Sequence, residues 1–298
     1  MKLRFEGGFF VLADYHVHTE FSDDSHEPME EQVKRAMDLG LDELCFTDHV
    51  DYGIKKDWTE GDIEYRAGDG IGTPADSMEP LANVDYPEYF KKFTGMKQEF
   101  ASRIALRSGL EFGVQRETVP RYEELFGRYE KDLDFILLSI HQVENKEFWT
   151  QDFQQGRSQK EYNERYYQEM YEVMKAFKHY SVLAHVNLIS RYDKQGTYPF
   201  AAVKDMVAEI LKLAIADGKG IELNTSSWHY GLSDTMPSKD ILRLYKDLGG
   251  KIITIGSDTH STKYLADHMD EARAVLRDEI GFEEVYTFRQ MQPVGHKL

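Results

Sequence analysis

The chain has 298 residues, 41% of them hydrophobic and 30% charged, with a formal net charge of −17. That length holds one large α/β domain or two small ones, and the acidic balance excludes broad binding to nucleic acid or anionic membranes, whose phosphates would be repelled over most of the surface. No stretch approaches the ~20 apolar residues of a membrane span, Met1–Leu12 lacks the apolar core of a signal peptide, and a single cysteine, Cys45, excludes an internal disulfide and a multi-cysteine metal site. A cytoplasmic location is therefore expected.

In chain order, Val11–Thr19 reads as the first strand. Met29–Leu39 follows as a helix, opened by Pro28 and stopped by Gly40. Leu41–Thr47 is the second strand. The segment 51–85 then breaks the rhythm. It is rich in Gly, Asp and Glu, carries Trp58, Pro74 and Pro80, and reads as a solvated insertion or as a lid over an active site. A helix over Glu88–Ser102 precedes the third strand, Ile104–Phe112, and Phe135–Ile140 is the fourth. The helix Gln159–Lys178 leads to the fifth strand, Ser181–Val186. Val203–Ala216, stopped by Gly218, leads to the sixth, Gly220–Thr225. Lys239–Leu248, capped by Ser238 and followed by Gly249, leads to the seventh, Lys251–Ser257. Val285–Met291 reads as an eighth strand or an edge addition. Repeated β-then-α over the whole length argues for parallel strands joined by crossover helices in a single α/β domain, 1–298.

The residues suited to chemistry cluster at the ends of these strands. His16 and His18 end the first, with Asp24 just beyond; His49 ends the second, Glu111 the third and His141 the fourth. His185 lies in the fifth, Asn224 ends the sixth, and Asp258 and His260 end the seventh. In a parallel barrel all strand C-termini open on one face, so residues far apart in sequence meet there. Imidazoles and carboxylates crowded on one patch are costly without cations between them. Such donors suit Zn, Mn or Fe, and the lack of thiolates argues against a cysteine-bound structural zinc. In His16-x-His18, residues two apart on a strand point to the same side, so both rings can reach one ion. Asp258-x-His260 repeats that spacing.

These motifs resemble the PHP (polymerase and histidinol phosphatase) superfamily, and within it the monofunctional histidinol phosphatases. The resemblance runs from His16 to His260 through His16-x-His18 with Asp24, Thr47-Asp48-His49, Gly109-Leu110-Glu111, Ser139-Ile140-His141, Ala184-His185 and Ser257-Asp258-Thr259-His260. It implies a distorted (β/α)7 barrel, TIM-barrel-like, with three divalent ions. Carried over by position, His16, His18, Glu111 and Asp258 would hold the first ion. Glu111 would bridge to a second completed by His141 and His185, and Asp24, His49 and His260 would hold the third. Arg191, six residues beyond His185, stands where similar phosphatases carry a phosphate-binding arginine; a guanidinium matches phosphate oxygens two at a time. His229, after Asn224-Thr225-Ser226, stands where a second arginine is expected, so His229, Asn224 or Arg116 are further candidates for substrate contact.

The resemblance implies hydrolysis of a small phosphate ester, L-histidinol phosphate, in histidine biosynthesis. Three divalent ions against three carboxylates would leave the pocket locally positive inside an acidic protein. A hydroxide bridging the ions joined by Glu111 is the expected nucleophile, with Arg191 stabilising charge and Asp258, His260 or a metal-held water protonating the leaving group. Other readings stay open: a phosphoesterase for nucleotides or other small esters, or a non-catalytic, metal-stabilised binding protein. An amidohydrolase would want a strand-end lysine, and none occurs. The chain contains no G-x-S-x-G, P-loop or G-x-G-x-x-G motif. Cys45 reads as a buried apolar residue, and His26, His179, His268 and His296 as surface residues.

Overall fold

The computed structural model describes residues 11–68 and 73–298. Met1–Phe10 of the N-terminal reading, and 69–72 within the 51–85 segment, lie outside the described residues. Seven parallel strands pair in chain order: β1 (Ala13–Val17), β2 (Glu43–Val50), β3 (Ala105–Gly113), β4 (Phe135–Ser139), β5 (Val182–Leu183), β6 (Gly220–Asn224) and β7 (Ile253–Gly256). Each is followed by a helix: α1 (Met29–Leu39), α2 (Tyr86–Phe100), α3 (Val119–Tyr129), α4 (Gln159–Ala176), α5 (Phe200–Ala216), α6 (Lys239–Asp247) and α7 (Met269–Ala274), the last running on to Ile280 in a widened π turn.

The first and last strands meet at the mouth. The Asp258 amide donates to the His16 carbonyl at 2.8 Å and the His18 amide to the Thr259 carbonyl at 2.9 Å. Below them the buried Asp14 carboxylate accepts from the amides of Ser257, at 2.9 Å, and Ala266, at 3.0 Å. The result is a nearly closed (β/α)7 barrel, as expected. It is distorted because β1 shifts register between Asp14 and Val17 and β5 contributes only two paired residues.

Strands covered on both faces read as continuous apolar runs, and Phe135-Ile136-Leu137-Leu138 is one. Alternate residues point into the barrel, where Tyr15, Cys45, Phe135, Leu137, Val182 and Ala184 pack together. Cys45 is buried there, as expected of a small apolar residue. The other strand face packs on helix stripes such as Val33 and Ala36 of α1 and Ile210, Leu211 and Ala214 of α5. Each fully buried large apolar side chain contributes roughly 2 to 3 kcal/mol.

Val285–Met291 is neither an eighth barrel strand nor an edge addition. Glu284–Arg289 turns back on Gln292–Lys297 as a separate antiparallel hairpin. Gln290 and Met291 both have positive φ, 47° and 62°, the two-residue turn whose twist suits a tight hairpin. Phe288 of this hairpin plugs the closed end of the barrel, its ring 5.0 Å from that of Phe135. The described part of 51–85 contains a short helical turn, Trp58–Glu60, and a small hairpin, Tyr65–Ala67 with Met78–Pro80.

Candidate metal centre

All nine side chains proposed from the sequence as metal ligands converge at the open mouth of the barrel. Glu111, at the end of β3, is their hub. Its Oε2 lies 3.1 Å from His16 Nε2, 3.5 Å from His18 Nε2 and 3.1 Å from His49 Nδ1. Its Oε1 lies 3.1 Å from His141 Nε2 and 2.8 Å from His185 Nε2. Asp258 Oδ1 approaches His16 Nε2 at 3.4 Å and His18 Nε2 at 3.5 Å. On the other side Asp24 Oδ2 faces His49 Nε2 at 3.4 Å and His260 Nε2 at 3.2 Å. His49 thus stands between Glu111 and Asp24 with one nitrogen toward each, a sharing not anticipated from the sequence.

Donors each about 2.1 Å from one ion sit about 3 to 3.5 Å from one another, which is the spacing here. Among the described residues, four overlapping sets of three donors have all their ligand atoms within 4.8 Å: His16, His18 and Asp258; His16, Glu111 and His185; His49, Glu111 and His141; His18, His49 and His260. His18 Nε2, His49 Nδ1, His260 Nε2 and Asp24 Oδ1 are buried with no hydrogen-bond partner. Unpaired lone pairs in a dry site are costly, and a cation satisfies them. The residues therefore fit divalent metal.

The electrostatics agree. Burial would lift the Glu111 carboxyl, but His16, His141 and His49 outweigh it and hold it well below the usual range. Burial would likewise lower His141, yet Glu111 and Asp51 push it up to about 9. His18 is driven well down, by burial first and then by the neighbouring His260 and His49, and burial also lowers His185. Protons on some rings thus stand in for positive charge that metal would bring. His185 and Asp258 have positive φ, 26° and 55°, the kind of local strain that persists where surrounding structure enforces it.

Arg191 is nearly buried. Its guanidinium meets Asp258 Oδ2 at 3.0 Å and Ser226 Oγ at 2.5 Å, and packs 4.4 Å from the Tyr230 ring centroid. The other substrate-contact candidates do not line the cavity that Arg191 lines. Arg116 is exposed and pairs with Glu172 at 3.2 Å. His229 packs against Tyr264, ring centroids 3.7 Å apart and planes tilted by 46°, in a recess of about 20 Å³ beside the main cavity. Asn224 is fully buried, its amide directed to Glu222 at 3.2 Å.

The main cavity, about 350 Å³, is lined by the candidate ligands Asp24, His49, Glu111, His141, His185, Asp258 and His260 and by Arg191, Tyr192 and Tyr230. Described residues of 51–85, among them Asp51, Lys55, Arg66 and Glu79, line it as well. Lys55 reaches Asp51 at 2.8 Å and also pairs with Asp23. Arg66 meets Glu147 at 2.8 Å and Asp23 at 3.3 Å, and lies 4.8 Å from the centroid of the Trp149 ring. Sequence reasoning missed two further acids. Asp51 Oδ1 lies 2.8 Å from His141 Nδ1, and Glu222 Oε1 lies 2.6 Å from His16 Nδ1. A charged residue within the apolar run Gly220-Ile221-Glu222-Leu223 was the available signal for Glu222.

The comparisons with known proteins agree with this geometry. The PHP domain family pattern matches residues 14–226. The chain is 28% identical over 284 residues to a histidinol-phosphatase of Lactococcus lactis, covering 94% of this chain and 95% of that one. A crystal structure of histidinol phosphate phosphatase from Lactococcus lactis, complexed with zinc, L-histidinol and phosphate, superposes with a TM-score of 0.78 at 27% identity, over 95% of this chain and 98% of that one. A structure from Listeria monocytogenes shares the fold, with a TM-score of 0.67 at 22% identity over 87% of this chain and 99% of that one. A barrel of seven parallel strands with imidazoles and carboxylates gathered at its mouth, matched by the family pattern over most of its length, places this chain in the PHP domain family.

Proposed function

We propose that this chain is a metal-dependent phosphomonoesterase that hydrolyses L-histidinol phosphate to L-histidinol and phosphate, in histidine biosynthesis. The observation that carries the reading is a cluster of metal-suited imidazoles and carboxylates directly beside a buried arginine, on a fold shared with a phosphatase solved with L-histidinol and phosphate. The ligands are three divalent ions, Zn, Mn or Fe, held by His16, His18, Glu111 and Asp258, by Glu111, His141 and His185, and by Asp24, His49 and His260. Such ions supply Lewis-acid charge and bring a bound water's pKa toward ~7.

The chain's own residues do the rest. Glu111 presents its two oxygens to two different groups of histidines, and Ser139 Oγ, donating to Oε1 at 2.6 Å, fixes its plane. Arg191 cannot swing away, because Asp258, Ser226 and Tyr230 surround its guanidinium; it offers donors to the phosphoryl oxygens and steadies the charge that develops on them. Water adds to phosphorus, the ester P–O bond breaks, and Asp258 or His260 relays a proton to the leaving alkoxide. The segment 51–85 acts as a lid within a single domain, fastened by Arg66. The acidic surface, and the lack among the described residues of any helix long and apolar enough to cross a membrane, fit a cytoplasmic enzyme for a small phosphorylated metabolite.

A phosphate-release panel of histidinol phosphate, nucleoside monophosphates and sugar phosphates, with and without chelator, tests this. Histidinol phosphate should be the best substrate, and chelation should abolish release. Activity indifferent to chelation overturns the metal mechanism, and a preference for a nucleotide overturns the assigned substrate.

A further inference from the structure

Glu222 sits in the middle of β6, fully buried, between Ile221 and Leu223. A carboxylate there is costly unless its oxygens are satisfied. Its partners come from separate parts of the metal centre. Oε1 lies 2.6 Å from His16 Nδ1, at the end of β1. Oε2 accepts from the His185 backbone amide at 2.9 Å, just past β5, and from Asn224 Nδ2 at 3.2 Å. Among the described residues it forms no ion pair with lysine or arginine; its only ionic partner is His16.

The barrel is shaped around this group. A Cβ on Gly256 of β7 would stand 2.5 Å from Glu222 Oε1 and 2.3 Å from the His16 Cβ. Only glycine leaves room for the Glu222–His16 pair at that point.

We infer that Glu222 is a positioning residue that serves two of the proposed ion sites at once. With a carboxylate oxygen 2.6 Å from Nδ1, the arrangement favours a proton on that nitrogen and leaves Nε2, the atom facing Glu111 and Asp258, for an ion. The same carboxylate pins the His185 amide, at a residue whose φ of 26° needs an external hold. Carboxylates behind metal-ligating histidines fix the tautomer and raise the basicity of the ring, and their loss costs about 10- to 100-fold in metal affinity. Glu222 touches neither substrate nor the proposed ions and acts through His16 and His185.

The inference rests on the metal-centre reading above, and the test separates the two. Zinc content of wild-type protein and Glu222→Gln is measured by mass spectrometry at graded free zinc, with the fold of each checked by circular dichroism. In the variant, the ions assigned to His16 and His185 should require about 10- to 100-fold more free zinc, while the ion assigned to Asp24, His49 and His260 stays. Equal zinc retention in the two proteins overturns this inference alone. Wild-type protein that takes up no zinc overturns the metal centre and this inference with it. Should the variant not fold, nitrogen-15 spectra of zinc-loaded wild-type protein decide: a His16 proton on Nδ1 supports the role, and a proton on Nε2 overturns it.

Discussion

Glu111 draws five histidine rings to one carboxylate, so it is the residue whose loss should cost most. Glu111→Gln keeps the volume but removes the charge facing both histidine groups. Turnover should fall on the order of 10³-fold or more, with circular dichroism and solubility unchanged. Near-normal activity would remove Glu111 from the mechanism. His141 makes a pH prediction. Its folded pKa, about 9, is raised above the ordinary 6.5, so in metal-free protein its stabilising contribution is complete below pH 6.5. It is lost as pH rises through 9, and amounts to something on the order of 3 kcal/mol. Denaturant titrations of chelated protein should show wild type losing more stability between pH 6.5 and 9 than His141→Asn does. Identical pH slopes would mean that the Glu111 and Asp51 contacts do not hold that proton. Metal competes with it, so zinc affinity should climb over the same window.

At the scale of elements, the proposed lid role of 51–85 rests on how its described part is tied down. Its hairpin is held through Arg66, which joins Asp23, the neighbour of Asp24, to Glu147 and Trp149 across the cavity. Arg66→Met keeps an apolar stem over Trp149 but removes the half-buried ion pairs, a loss of about 1 to 2 kcal/mol. The expected result is a KM raised several-fold, with kcat little changed and faster proteolytic cleavage within 65–80. Unchanged cleavage and an unchanged KM would show that the hairpin is a passive insertion. The barrel elements answer to a different constraint. A Cβ on Gly113 at the end of β3 would stand 1.8 Å from Asp51 Oδ1 and 2.8 Å from His141 Nδ1, so the strand must be bare there for the Asp51–His141 pair to form.

At the scale of the molecule, folding buries ligand atoms that lack hydrogen-bond partners, and metal would satisfy them. Each ion present at a thousand times its dissociation constant adds about 4 kcal/mol to stability, roughly 6 °C in Tm for a chain of this length. Calorimetry with and without chelator should therefore show a fall of about 6 °C or more. A Tm indifferent to chelation would mean that the cluster is stable without cations. Net charge contributes as well: at a formal −17 the exterior repels polyanions, so small anions would be drawn only to the place where bound metal adds positive charge.

The sequence by itself determined the alternation of strand and helix, because apolar runs bounded by Pro, Ser and Gly signals are local features. It also placed His16, His18, His49, Glu111, His141, His185, Asp258 and His260 in or just after such runs, and parallel pairing obliges strand ends to share a mouth. Tertiary structure decided what local pattern does not encode. Closure runs through Asp14 and Ser257, the reach of Arg116 turns outward to Glu172, and His229 packs against Tyr264 rather than lining the main cavity. Glu222 finds His16 across a separation of 206 residues. A side chain's direction past a strand end depends on the loop that carries it and on partners from other strands, and those meet only once the barrel has closed.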